Sequence, residues 1–233
     1  MVATETNIPA RGWLREAWRR MCAHWVVKMT GTLLCFGAFF AVYFWLLNHT
    51  RGPVTMMPRI WLDRVIAFEP WALPLYVSLW IYVPLAPSLL ESRRELASYM
   101  TAAVALSLVG FGIFILWPTA VPKSEIDPYL LPSLSFLKGV DASGNAFPSL
   151  HVAFALFTAL WLGRLLRDLG AGGFARALNW LWCVGIVYST VAVRQHVALD
   201  AISGAILGAA GAAVHLRAMR GGSPGGAPER HGG

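Results

Sequence analysis

The sequence predicts an all-α fold, an integral membrane bundle of six transmembrane helices with both termini in the cytoplasm. Three observations lead there. Of the 233 residues, 57% are hydrophobic and only 13% are charged, too few polar groups for the surface of a soluble domain of this size. The apolar residues gather in six runs separated by polar or proline-containing connections. Finally, thirteen of the nineteen Lys and Arg residues fall on one side when the N-terminus is placed inside: the N-terminal arm, the 93–94 pair, the 164–176 connection and the C-terminal end. That is the asymmetry of the positive-inside rule. A formal charge of +7 would also suit nucleic acid. The basic residues are scattered between apolar runs, however, so topology explains them and no nucleic-acid partner is expected.

Residues 1–28 form a basic lead-in. Arg11, Arg15 and Arg19 recur every four residues, with Leu14, Trp18, Cys22 and Trp25 at helical spacing beside them. The pattern fits two readings equally: an amphipathic helix on an anionic membrane surface, or an ordinary cytoplasmic approach to the first span. A cleaved signal peptide does not fit, because the polar region is too long and no small-residue site closes the apolar run. The expected spans cover about residues 29–47, 70–90, 98–117, 147–163, 177–193 and 197–216. Together they make a membrane domain over 29–218. Pro74, Pro84 and Pro87 imply bends in the second. The sixth carries Gly204 and Gly208 as GxxxG, with Ala201, Ala205, Ala209 and Ala213 at intervals of four. Such a helix can approach its neighbours closely. The Gly/Pro-rich segment 219–233 is expected to be a disordered tail. Cys22, Cys35 and Cys183 form no CxxC pair and read as packing residues.

Two connections face away from the cytoplasm in this topology. Residues 57–68 mix large apolar side chains with Arg59 and Arg64, as an interfacial segment does. Residues 118–146 make a long, proline-containing loop of the kind that forms lids or binding elements.

The chemistry gathers between Pro148 and Asp200. His196 and Asp200 are four apart and share a helix face. A carboxylate bonded to one imidazole nitrogen fixes the tautomer and raises the basicity of the other, giving a nucleophile or base. His151 starts another span on the same membrane face and is placed to protonate a leaving group. Arg194 adds a fixed positive charge and Ser149 a hydroxyl. Cations with hydroxyl and imidazole donors suit phosphate, whose transfer depends on positioning and charge stabilisation. Ionisable groups at membrane spans default to function. A metal site from His151, His196 and Asp200 competes, but Arg194 beside it would repel a cation. A Ser149-His-Asp hydrolase is weaker, since there is no GxSxG elbow.

Phe147-Pro148-Ser149-Leu150-His151, followed by Ser189-Thr190 and His196-x-x-x-Asp200, resembles the type 2 phosphatidic acid phosphatase superfamily, with its PSxH and SRxxxxxHxxxD motifs. The resemblance implies that His196 forms a phosphohistidine, Asp200 orients it, His151 protonates the leaving alcohol and Ser149 contacts phosphate, with no metal and no cofactor. Its implied substrate is a lipid phosphate drawn from the surrounding membrane lipids. Two departures stand out: Thr190 occupies the third motif's arginine position, and the KxxxxxxRP first motif is absent. Arg194-Gln195-His196, and Asp63-Arg64-x-Ile66-x-Phe68-x-Pro70 followed by Tyr76, resemble the branch that includes inositol phosphorylceramide synthases. Arg64 and Lys123 are the candidates to replace the missing phosphate-binding cations. Hydrolysis, headgroup transfer and non-catalytic lipid-phosphate binding or transport all remain open at this point, as does the oligomeric state.

Overall fold

The structure is a computed structural model, and it describes residues 12–50, 52–122 and 144–221. Lys123, most of the 118–146 connection and the expected tail from residue 222 onward lie outside the described residues.

The described chain is mostly helical. It begins with α1 (Gly12–Cys22) and α2 (Trp25–Asn48), then a two-residue strand β1 (Thr55–Met56) and α3 (Trp61–Val65). A 3-10 turn at Pro70–Ala72 leads into three short helices, α4 (Leu73–Val77), α5 (Leu79–Tyr82) and α6 (Leu85–Ser88). Then follow α7 (Arg93–Leu116), β2 (Thr119–Ala120), α8 (Leu150–Asp168), α9 (Gly173–Ala192) and α10 (Ala198–Gly221). Four helices, α2, α7, α8 and α10, are long and apolar enough to cross a membrane, and they make the chain a membrane protein.

The other two expected spans look different. Residues 70–90 form a chain of short helices because Pro70, Pro74, Pro84 and Pro87 each remove a backbone donor from the ladder. Side chains tie the segment to its neighbours. The Tyr82 hydroxyl donates to Asn179 Oδ1 on α9 at 2.7 Å, while Asn179 Nδ2 donates to the Ala159 carbonyl on α8 at 3.0 Å. Trp182 Nε1 on α9 donates to Ser78 Oγ at 2.8 Å. Residues 177–192 lie within α9, which is not among the four membrane-length helices; Arg176, Asn179 and Ser189 dilute its apolar run.

Helix ends follow the local sequence. Ser92 caps α7 through a reciprocal box with Glu95. Ser149 caps α8, accepting from Val152 N at 3.3 Å. Gly170, at φ 72°, ends α8 in the left-handed conformation that glycine permits. At the opposite corner Lys28 is buried and donates to the carbonyls of Arg20 (2.6 Å) and Ser88 (2.8 Å), pinning α1 and α6 to the start of α2. Arg19 and Arg20 pair with Glu16 and Glu91, which docks α1 beside the start of α7. Leu14 and Trp18 stay exposed on α1. Of the cysteines, Cys183 is buried and Cys35 half-buried, whereas Cys22 is exposed at the end of α1.

α8 is the central element. Its membrane-length window is 72% buried, against 6% for α2. α10 lies so close to α8 that a Cβ at Gly204 would collide with the Ser149 carbonyl, and one at Gly208 with the Ala153 carbonyl. The close-packed face is therefore Ala201, Gly204, Gly208 and Ala212, all buried. The alanines expected at intervals of four drift off it, and Ala205, Ala209 and Ala213 are only half-buried, because a repeat of four overshoots the 3.6-residue turn.

Candidate active site

Two helix starts meet at one end of the bundle. The Ser149 amide, at the cap of α8, donates to the Asp200 carbonyl in the first turn of α10 at 3.0 Å. With the glycine contacts, this bond fixes the register of one motif against the other. The peptide bond before Pro148 is cis.

The loop 193–197 that carries His196 is clamped from several sides. The amides of Gln195 and His196 both donate to the Thr190 carbonyl at 3.1 Å. Arg194 stands at φ 61°, a left-handed conformation that costs a non-glycine residue about 1–2 kcal/mol. Its guanidinium offsets that cost by donating to the carbonyls of Asp63 and Ile66, each at 3.0 Å. Asp63 is itself buried. Its carboxylate accepts from Ala198 N at 2.8 Å and from Ile60 N at 2.8 Å, so it caps α10 and ties that helix start to the 60–66 segment. Asp200, fully buried, accepts from Val197 N at 3.1 Å through Oδ2.

That same Oδ2 lies 3.5 Å from His196 Nδ1. The ring nitrogen turned away from the carboxylate is therefore Nε2. His196 lines a cavity of about 260 Å³ together with His151 and Asn145. His151 is stacked on Tyr76, ring centroids 4.1 Å apart and planes 7° from parallel, with Trp80 edge-on at 6.0 Å. His151 Nε2 is buried and has no hydrogen-bond partner among the described residues, leaving it available to a ligand. The rest of the cavity wall is largely aromatic, including Phe40, Tyr43, Phe44, Trp80 and Phe154. A second apolar cavity of about 240 Å³ adjoins it between α2 and α7, sharing Phe39, Trp80 and Phe154 as wall. Among the described residues no group of three or more His, Cys, Asp or Glu is arranged to hold a metal ion.

The chain matches the PAP2 superfamily over residues 52–214. That interval contains both motifs, the loop clamp and most of the bundle. The chain belongs to the PAP2 superfamily. This is a superfamily of phosphatase-type enzymes. No curated protein and no solved structure matches the chain.

Of the residues singled out in the sequence, His151 and His196 line one cavity, and Asp200 stands beside His196. Ser149 is fully buried at the cap of α8. Arg194 is drawn into the loop clamp, with both terminal nitrogens on backbone carbonyls. Arg64 is exposed on α3. Sequence reasoning quoted Asp63 and Tyr76 within the segment that resembles the synthase branch without giving either a role, and it did not reach Asn145. For Asp63 a signal existed: a carboxylate among Trp61, Leu62, Val65 and Ile66 has to be buried with partners or turned outward.

Proposed function

We propose that this PAP2 protein cleaves a lipid phosphate ester through a phosphohistidine at His196. The observation that carries the reading is the His196–Asp200 pair at 3.5 Å, opening on the cavity that His151 also lines. Asp200, its Oδ2 3.5 Å from Nδ1, is placed to accept a hydrogen bond from the Nδ1 proton as the pair tightens on substrate, which directs the Nε2 lone pair outward. Nε2 attacks phosphorus, the P–O bond to the alcohol breaks, and protonated His151 gives its proton to the departing oxygen. The flat Tyr76 stack supports that protonated ring through its π face. In the second step water or a second alcohol attacks phosphorus, His151 takes back the proton, and the P–N bond breaks. Ser149, whose hydroxyl accepts from Val152 N and keeps a proton to donate, contacts the phosphate. Arg194 contributes its charge from the clamp, and Arg64 and Lys123 are the candidates for any further cation. The aromatic cavities beside the histidines suit a hydrocarbon chain entering laterally from the bilayer.

The reading includes six spans over a 29–218 membrane domain, counting the broken 70–90 segment and α9. The Lys and Arg asymmetry supports cytoplasmic termini and an extracytoplasmic site in the cell membrane. Attack by water makes the protein a phosphatase; attack by an alcohol such as inositol makes it a headgroup transferase. The Arg194–Asp63 clamp unites the two segments that resemble the inositol phosphorylceramide synthase branch, and this favours transfer as the second reading.

Purified protein incubated with long-chain lipid phosphates, with and without an alcohol acceptor and in the presence of EDTA, tests the reading. Turnover is expected to survive the chelator. His196→Ala is expected to abolish it, a loss of at least about 10⁴-fold, with the protein still folded. A fully active His196→Ala variant would sink the phosphohistidine mechanism, and absence of any turnover would favour a binding or transport role.

A further inference from the structure

We propose that Asn145 is a catalytic residue, its side-chain amide donating to a non-bridging phosphoryl oxygen of the substrate beside His196. The proposal deepens the phosphoryl-transfer reading and rests on it. Asn145 is 5% exposed and lines the cavity with His151 and His196. Its Nδ2 has no hydrogen-bond partner among the described residues. A buried amide donor without a partner costs free energy in the resting protein, and a ligand oxygen in this cavity would remove that cost.

The backbone around it is built to hold this orientation. Asn145 sits at φ 53°, a left-handed conformation that asparagine tolerates better than most residues. On one side Gly144 pairs with Ala120 in an isolated antiparallel bridge. On the other, Phe147 N donates to Thr119 Oγ1 at 2.9 Å, and Ala146 packs with Met57, Val121 and Val197. Both flanks are anchored to β2, which fixes the backbone from which the amide extends into the cavity.

The chemistry explains why a neutral donor belongs here. Among the described residues, the cation nearest His196 in sequence is Arg194, and its terminal nitrogens are committed to the Asp63 and Ile66 carbonyls. Arg64 is exposed. An amide held in a poorly solvated cavity supplies a preorganised hydrogen bond with no charge to desolvate. That bond strengthens as charge accumulates on the equatorial oxygens during transfer. No bond to Asn145 forms or breaks; its part is electrostatic.

The substitutions must respect the backbone. Asn145→Gly keeps φ 53° accessible and removes the amide. Asn145→Asp keeps the shape and exchanges the donor for an anion. Full-length protein in lipid nanodiscs is assayed for turnover of a long-chain lipid phosphate and for inhibition by orthovanadate, with thermal unfolding followed in parallel. Asn145→Gly is expected to lower kcat by about 10²–10³ and to weaken vanadate inhibition at least about tenfold. Asn145→Asp is expected to lose as much or more, and both variants are expected to unfold cooperatively, as the wild type does. Turnover of Asn145→Gly within twofold of wild type overturns the assignment. So does lost turnover with unchanged vanadate inhibition, or a fully active Asn145→Asp. Wild-type turnover that disappears in His196→Ala but persists in Asn145→Gly removes Asn145 alone. A wild-type protein with no turnover of any lipid phosphate removes the parent reading, and this one with it.

Discussion

The α8–α10 pair and helix α2 are both apolar and both long enough to span a membrane, yet they are built for opposite purposes. α8 is 72% buried over its membrane-length window and α2 only 6%. Glycine makes the contrast sharper. Gly204 and Gly208 on α10 touch backbone carbonyls of α8, whereas Gly31 and Gly37 on α2 have no neighbouring atom within 4 Å of where a Cβ would stand. The inner pair holds two half-sites at fixed separation through backbone contact, which cannot rotate away as a side chain can. α2 presents Leu33, Leu34, Val42 and Trp45 to its surroundings and lends one aromatic edge to the cavities. Positioning and chain access are thus assigned to different helices, and substitutions should separate them.

The largest effect is expected where the two half-sites touch. Gly204→Ala drives a methyl group into the Ser149 carbonyl, so α10 must back away from the residue that caps α8. The cost is expected at or above the upper end of the ~1–3 kcal/mol typical of overpacking, with turnover falling at least about tenfold. Gly37→Ala, with open space around it, should instead be neutral or stabilising by up to about 1 kcal/mol, since alanine favours a helix over glycine. Thermal unfolding of the two variants in detergent gives the comparison. The same sign for both would break the distinction between inner and outer helices.

A smaller effect is expected at Asp63, which joins the 60–66 segment to the start of α10. Asp63→Ala leaves the amides of Ile60 and Ala198 without their acceptors, at about 1–3 kcal/mol for each that stays dry. Because the His196 loop also leans on the Asp63 carbonyl through Arg194, kcat should fall about tenfold or more while KM moves little. Asp63→Asn retains one acceptor and should recover part of the rate. Equal stability loss in both variants with kcat untouched would reduce Asp63 to a structural cap.

Much of this architecture was legible in the chain. Hydropathy located the long helices, because burial in protein and burial in lipid both demand apolar runs. GxxxG identified α10 as a close-packing helix, and the spacing of His196 and Asp200 brought the two together, although His196 lies in the loop before α10 and shares no helix face with Asp200. The missing parts have physical reasons. The 70–90 segment reads as one bent span by composition, but four prolines divide its hydrogen bonding into short helices. Asp63 and Asn145 act through tertiary contacts: Asp63 Oδ1 meets the Ala198 amide 135 positions away, and Asn145 is held by its anchorage to β2. Neither leaves a periodic trace. Arg194 was legible as a cation, but its left-handed backbone and its two carbonyl partners appear only once the 63–66 segment folds against it.

The smallest effect is expected on the outer side. Phe40 on α2 lines the cavity beside the histidines and lies against Trp80, centroids 4.9 Å apart. Phe40→Ala removes that aromatic contact, worth about 0.5–1.5 kcal/mol beyond burial, and widens the wall without touching the His196 loop. If the cavity holds the hydrocarbon part of the substrate, the lost contact falls on binding shared by ground and transition states, which raises KM and leaves kcat alone. KM for a long-chain lipid phosphate should rise severalfold, up to about tenfold for ~1.4 kcal/mol. A short-chain, water-soluble phosphate ester, having no chain to lay against Phe40, should react at the wild-type rate. Steady-state kinetics on the two substrates decide it. An equal loss on both would mean that α2 helps to position the histidines after all, and the division between inner and outer helices would then have to be redrawn at Trp80.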